Sequence, residues 1–378
     1  MAALIIFLLS AAYIGYVLFG YPAILGLLAR WRCRPVKRAP CEPTVSVLLP
    51  VHNGEPWIAA KLDSLLALDY PRDRLQIIVI SDGSTDRTEE IARQYAAQGV
   101  ELLRLPRGGK AQALNAGMKR ASGEVLFLTD VRQPLEPESL RNLTACLADP
   151  AVGAVSGELV ILDDDTREKA NVGLYWRYEK WIRKRLSQVD SVLGATGAIY
   201  IIRKSLARPM PPSTLLDDVY LPLGAFFSGY RVVFEESAIA YDRATVLDTE
   251  FRRKVRTLAG VYQIVRYFPH LISFQNRMWF HFLSHKIGRL FLPYALLALA
   301  ISSFWLPAPW RTLALGSQAG FYALAAIDRR LPDSLPLKRL SSPACTFVVL
   351  VAAALCAIAI FFVPTQSLWK SAARKAAA

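Results

Sequence analysis

Four stretches of this chain carry no charged side chain: Ala2 to Ala29, Leu290 to Trp310, Thr312 to Ile327 and Leu340 to Trp369. A charge at the centre of a bilayer is costly, and a spanning helix needs about 20 predominantly apolar residues. Three of the stretches reach that length; Thr312 to Ile327 falls short and is the weakest of the four as a span. The rest of the chain holds all 45 basic and 31 acidic residues. It is about as charged as an ordinary soluble domain, roughly one residue in four. A simple water-soluble protein is thereby excluded, and so is a transporter made mostly of spanning helices.

The first stretch is longer than the apolar region of a secretory signal, and nothing basic precedes it. We read residues 1–30 as a retained anchor. Arg30, Arg32, Arg34, Lys37 and Arg38 follow it, which places the next segment on the cytoplasmic side and the N-terminus outside. Arg311 suits an outside turn, and Arg329, Arg330, Lys338 and Arg339 suit a cytoplasmic loop. Four spans would leave Lys370, Arg374 and Lys375 outside, against the positive-inside rule. Either the tail breaks that rule, or one C-terminal stretch is re-entrant or interfacial. The expectation is an integral protein of the bacterial inner membrane. Its five cysteines show no metal-ligand spacing, so neither structural disulfides nor a zinc site is expected.

From Thr44 the pattern changes. VSVLL (Val45 to Leu49), QIIVIS (Gln76 to Ser81), VELLRL (Val100 to Leu105) and VLFLT (Val125 to Thr129) are continuous apolar runs, as in strands buried on both faces. Helices are predicted between them. One is entered through Pro56, one opens at Asp86 with Glu89 completing a capping box, and one begins near Lys110. The alternation implies an α/β fold with a mainly parallel sheet covered on both faces. Ligands of such sheets bind outside the carboxyl ends of the strands, and those ends here carry His52, Asn53, Asp82 and Asp130. Carboxylates there, with Gly83 and Gly108-Gly109 allowing close backbone approach, suit a ligand with hydroxyls and a diphosphate. Taken singly, Asp82 reads better as a turn residue than as a ligand, and Asp86 better as a helix cap.

An ordered set of motifs runs from Pro50 to Thr257: PVHNGEP (Pro50 to Pro56), SDGSTD (Ser81 to Asp86), GGKAQALNAG (Gly108 to Gly117), FLTD (Phe127 to Asp130), GATGAIYIIR (Gly194 to Arg203), LLDDVYLP (Leu215 to Pro222) and FRRKVRT (Phe251 to Thr257). With its flanking membrane segments the chain resembles the family-2 membrane glycosyltransferases of the polysaccharide and glycolipid synthase type. The resemblance implies a GT-A fold, the Rossmann-like fold of nucleotide-diphospho-sugar transferases. It also implies inverting transfer of a sugar from a nucleotide sugar, expected to be a UDP-sugar, to a lipid-linked or glycan acceptor. The implied organisation is the anchor, a cytoplasmic GT-A domain at 44–249, interfacial amphipathic helices at 250–289, about three transmembrane helices at 290–369 and a tail at 370–378.

By the same resemblance Pro50, Val51 and Glu55 line the nucleoside pocket, Asp82 binds the base or ribose, and Lys110 approaches the base and phosphates. Asp130 matches the first acid of the family's D-x-D motif, which reaches the donor and Mg²⁺ (or Mn²⁺). The chain departs from the motif at Arg132, where the second acid is expected. Either the metal is retained on Asp130, water and the diphosphate, which is the expectation, or Arg132 supplies part of its charge. Asp217-Asp218 matches the family's T-E-D motif, with Asp218 as catalytic base; capping of the helix that begins there is the structural alternative. Arg253 and Arg256 match the basic positions of Q-x-x-R-W and imply diphosphate contacts, with Thr257 where the motif has Trp. Binding of these arginines to anionic lipid headgroups is compatible with that role.

Asp163, Asp164 and Asp165 read as a solvated turn. The aromatic and basic stretch from Tyr175 to Arg185 reads as an amphipathic interfacial helix or an acceptor-side wall, and nucleic acid is not an expected partner. His281 and His285, four apart among aromatics, read as part of a membrane-surface helix rather than a metal pair. Two rival functions remain. One is a processive polysaccharide synthase of the same family, which the missing Trp and few spans oppose. The other is a catalytically degenerate nucleotide-binding scaffold of a glycan-synthesis complex, which the retained acids oppose.

Overall fold

The structure, a computed structural model, describes residues 1–162, 174–243, 247–332 and 335–364; the side chains of 247–249 lie outside that description. The acidic run Asp163 to Asp165 and the basic residues Lys370, Arg374 and Lys375 fall outside the described residues. The chain forms two units. One comprises Arg32–Asn171 and Arg183–Ala244, the other Met1–Trp31, Val172–Ile182 and Thr245–Ala378.

The first unit is built on a seven-stranded sheet. Its strands are β1 (Val45–Val51), β2 (Leu75–Asp82), β3 (Val100–Leu105), β4 (Val125–Leu128), β5 (Val152–Leu162), β6 (Tyr200–Arg203) and β7 (Arg231–Arg243). Their spatial order is β3-β2-β1-β4-β6-β5-β7. The first four are parallel, as their continuous apolar runs predict. Val45, Val47 and Leu49 of β1 share a core with Ile58, Leu62 and Leu65 of the Glu55–Leu66 helix. Leu48 and Ile80 point to the opposite face, against Gly117 of the Lys110–Arg120 helix. Both faces are thus covered, and each fully buried Leu or Ile contributes about 1.5–3 kcal/mol. Beyond β4 the sheet becomes mixed: β6 runs antiparallel to β4 and β5, and β5 pairs parallel with β7.

One helix start differs from expectation. The helix after β2 spans Thr88–Gln94 and no capping box forms. Asp86 accepts hydrogen bonds from the backbone N–H of Thr88 (3.1 Å) and of Glu55 (3.0 Å), joining two helix starts. Glu89 turns instead to Ser81 Oγ at 2.8 Å and to Arg93 at 3.3 Å, because the strand-end hydroxyl and the neighbouring cation lie within its reach.

Three helical stretches of the second unit are long and apolar enough to cross a membrane: Ala2–Trp31, Trp279–Ser303 and Lys338–Phe361. The Trp310–Ile327 helix is not among them, in keeping with its short charge-free stretch. The second stretch starts at Trp279 rather than Leu290 and so takes in His281, His285, Lys286 and Arg289. His281 and His285, read from sequence as part of a membrane-surface helix, are both buried within the protein. Tyr21 Oη lies 3.2 Å from His281 Nδ1, the Tyr21 ring stacks on His285 at 6.0 Å, and Arg289 pairs with Glu179.

Candidate active site

Parallel pairing sets the site. Val51 of β1 lies beside Ser81 of β2, and Leu48 beside Leu128 of β4, so the loops leaving three strand ends open side by side. Asn53, at φ 52, accepts a hydrogen bond from the Thr85 N–H (2.8 Å) and donates its own N–H to Ser84 Oγ (3.2 Å). His52 Nδ1 sits 2.9 Å from the Asp82 carbonyl oxygen. The β1 and β2 loops are thereby held as one piece.

Asp82 is buried and fully engaged. Its Oδ1 accepts the N–H groups of Gly108 (2.7 Å) and Gly109 (3.0 Å), and its Oδ2 pairs with Arg107. Gly83, at φ 65, lies where an added Cβ would come 2.7 Å from the Arg107 nitrogen, so only glycine lets the two loops meet. Asp82 thus ties the loop after β2 to the 107–109 loop, and Arg107 is a partner that sequence reasoning missed.

The acids converge around Lys110, the first residue of its helix. Lys110 Nζ lies 2.8 Å from Asp130 Oδ1 and 3.1 Å from Asp217 Oδ1. Burial works against the ammonium, but Asp130, Asp217 and Asp218 outweigh it and hold its pKa above the ordinary lysine value. Asp130 leaves the end of β4, while Asp217 and Asp218 occupy the first turn of the Asp217–Phe227 helix, where the helix dipole favours carboxylates. The residue at the N-cap itself is Leu216, which has no side-chain acceptor to offer. A Cβ on Gly197 would stand 3.4 Å from Asp218 Oδ2 and 3.5 Å from Asp130 Oδ2, so both carboxylates border the space that this glycine leaves open. The Gly194–Gly197 loop is fixed by Thr196 N–H donating to Ser156 Oγ (2.9 Å) and Ala195 N–H donating to the Asp218 carbonyl (2.6 Å). Tyr200 lies fully buried beside the acids, and its hydroxyl has no hydrogen-bond partner among the described residues. Burial, then Asp217, Asp218 and Asp130, push its pKa well above the usual phenol range.

Two further groups hold the segment after β4. Lys61, on the buried face of its helix, donates to Thr129 Oγ1 at 2.7 Å and to the Gln133 carbonyl at 2.5 Å, and Thr129 Oγ1 donates onward to the Ala198 carbonyl at 2.6 Å. Burial pulls the Lys61 pKa down to about 7. Its spacing from Ile58, Leu62 and Leu65 is the sequence signal that could have marked it as buried. Arg132 lies 2.6 Å from Asp242, a buried residue near the end of β7 that also accepts from Gln133 Nε2 at 2.9 Å.

The other expected site residues are distributed as follows. Val51 sends its side chain into the core, and Pro50 is partly exposed. Glu55 opens its helix and accepts the Arg87 N–H at 3.1 Å. Arg253 and Arg256 lie on the Leu247–Tyr267 helix of the other unit, with Arg253 3.7 Å from Glu250. Among the described residues no group of three or more His, Cys, Asp or Glu gathers closely enough to hold an ion alone. The residues nevertheless fit a hard divalent ion: Asp130 and Asp217 already share one cation, and one or two carboxylates completed by substrate phosphates is a usual Mg²⁺ site.

Residues 46–209 match the sequence profile of "Glycosyl transferase family 2". The probable glycosyltransferase YdaM of Bacillus subtilis is 28% identical over 221 residues, covering 53% of this chain and 51% of that protein. This chain thus spans about half the length of that relative. An N-acetylglucosaminyltransferase of Rhizobium leguminosarum bv. trifolii is 34% identical over 124 residues, 31% of this chain and 68% of that protein. Among solved structures, a mannosyltransferase from Pyrobaculum calidifontis in complex with GDP-Man and Mn²⁺ superposes with a TM-score of 0.72 at 23% identity, covering 97% of this chain and 99% of that one. That likeness establishes the GT-A fold.

Proposed function

The chain belongs to glycosyl transferase family 2, and from that premise we propose that it is a membrane-bound inverting glycosyltransferase. It takes a sugar from a nucleotide sugar, a UDP-sugar in our reading, and passes it to a lipid-linked or glycan acceptor at the cytoplasmic face of a bacterial inner membrane. The observation that carries the reading is the pair of carboxylates, Asp130 from a strand end and Asp218 from a helix start, bordering one open space at Gly197. An inverting transfer needs one group to take the proton of the attacking hydroxyl and another to manage charge on the departing diphosphate.

In this mechanism Asp218 accepts the acceptor hydroxyl's proton as the oxygen attacks the anomeric carbon from the side opposite the diphosphate. Asp130 orients the donor, and Lys110 offers its ammonium to the phosphates. A divalent ion, Mg²⁺ or Mn²⁺, would be held by Asp130 with the diphosphate and would supply positive charge for the leaving group. The Mn²⁺ in the complex of the mannosyltransferase that shares the fold supports a divalent ion here. Arg132, tied to Asp242, is poorly placed to take over that charge. The test is to give the detergent-solubilised protein a panel of sugar nucleotides with native lipid extract and to identify products by mass spectrometry. A product that forms with one donor, vanishes in Asp218→Asn and fails in excess EDTA is expected. Equal nucleotide release by wild type and Asp218→Asn would remove the enzymatic reading, and undiminished turnover in EDTA would remove the metal.

A further inference from the structure

Residue 132, where the family motif has a second acid, is an arginine committed to Asp242, so it brings no carboxylate to the donor end of β4. The second carboxylate beside Asp130 comes from a different element: Asp217, at the first turn of its helix, shares the Lys110 ammonium with Asp130 at 3.1 and 2.8 Å. We propose that Asp130 and Asp217 form a two-carboxylate cation seat in which Lys110 is the resident cation. A divalent ion takes the seat only when a nucleoside diphosphate arrives to receive the lysine. The proposal rests on the donor-binding reading above and adds to it an order of events.

Charge and geometry carry the argument. Three acids, Asp130, Asp217 and Asp218, surround one lysine, which pairs with the first two and feels the third electrostatically. The lysine is mostly buried, so its ion pairs are screened less than surface pairs and are costly to break by removing one partner. A metal ion arriving alone must displace the ammonium from both of its ion-pair partners and leave it only the field of Asp218. It also gains only two protein carboxylates, since no larger ligand group is assembled among the described residues. A diphosphate changes both terms: it gives Lys110 a new anion and gives the metal additional hard oxygens. The buried, unpartnered hydroxyl of Tyr200 next to these acids is a second sign that the cluster is built for a ligand. Asp217 thus holds the cation, and Asp218 keeps the proton-accepting role.

The experiment measures Mn²⁺ binding to the full, detergent-solubilised chain by the electron paramagnetic resonance signal of the free ion. It is run without nucleotide, with UDP and with GDP, on wild type, Lys110→Met, Lys110→Arg, Asp217→Asn and Asp218→Asn, with thermal unfolding recorded for each. Wild type is expected to bind Mn²⁺ about tenfold tighter, or more, with one of the nucleotides than without, and Lys110→Met to bind it about tenfold tighter than wild type with no nucleotide. Lys110→Arg keeps a resident cation and stays weak alone. Asp217→Asn loses Mn²⁺ under all conditions, and Asp218→Asn keeps the nucleotide-dependent binding. A folded Lys110→Met with wild-type affinity for Mn²⁺ alone overturns the proposal. So does an Asp217→Asn variant that binds Mn²⁺ with nucleotide as wild type does, which decides the matter even where Lys110→Met does not fold. Transfer assayed on the same protein preparations with the panel of sugar nucleotides and native lipid extract separates the two readings: turnover without nucleotide-dependent metal binding sinks the seat alone, and the reverse sinks the transferase reading alone.

Discussion

Asp217 shares Lys110 with Asp130, whereas Asp218 borders the open space at Gly197, so adjacent residues serve different partners. Asp218→Asn keeps the shape and removes the proposed proton acceptor; its turnover is expected to fall by about 10²–10⁴-fold with nucleotide binding retained, measured by product formation and by nucleotide titration. Lys61 gives a pH prediction. Its two acceptors, Thr129 Oγ1 and the Gln133 carbonyl, match the two N–H donors of a neutral amine, and burial brings its pKa from 10.5 to about 7. Between about pH 7 and 10.5 the unfolded lysine binds a proton that the folded one does not, so its contribution to stability rises with pH across that window and is lost as pH falls through 7. The melting temperature of wild type relative to Lys61→Met should therefore climb from pH 7 to pH 10, by the equivalent of a few kcal/mol at most. A constant difference across that range would show that Lys61 does not titrate in the fold.

The loop after β4 and the end of β7 act as one element through Arg132 and Asp242. Restoring the family's second acid with Arg132→Asp is expected to lose stability by about 3–5 kcal/mol, because it leaves Asp242 buried, unpaired and facing a like charge. Denaturant unfolding checks this, and adding Asp242→Asn should recover much of the loss. No sequence rule linked these two residues, which lie on separate elements far apart in the chain. Strands β1, β2 and β4 were legible because burial on both faces writes them as nearly continuous apolar runs, and the edge strand β3, only partly buried, kept enough apolar residues around Glu101 and Arg104 to be read with them. The mixed half was not. β5 is interrupted by Gly153, Ser156 and Gly157, and β7 carries Glu235 and Glu236, of which Glu235 is buried against Arg38 at 2.7 Å. Polar residues satisfied by tertiary partners look like surface in a single sequence. The acids of the site were legible as motif positions, but the lysine joining two of them was expected to meet only base and phosphates.

At the scale of the whole molecule, a sheet-based unit and a helical unit with three membrane-length helices are made by one chain. The net charge of +14 is concentrated in part at Arg30 to Arg38, immediately after the first of those helices, where anionic headgroups would meet it. The protein is expected to stay with membranes through alkaline carbonate washing and to be released by detergent, as scored by sedimentation; recovery in the carbonate supernatant would contradict spanning helices. The clasp of Asp82 on Gly108 and Gly109 also supplies a reporter of occupancy. Those two amides are shielded because one carboxylate holds them, so a base or ribose that claims the same oxygens must let them go. Deuterium uptake at Gly108 and Gly109 should then quicken as donor binds, against the slowing that ligands usually impose on the loops they touch.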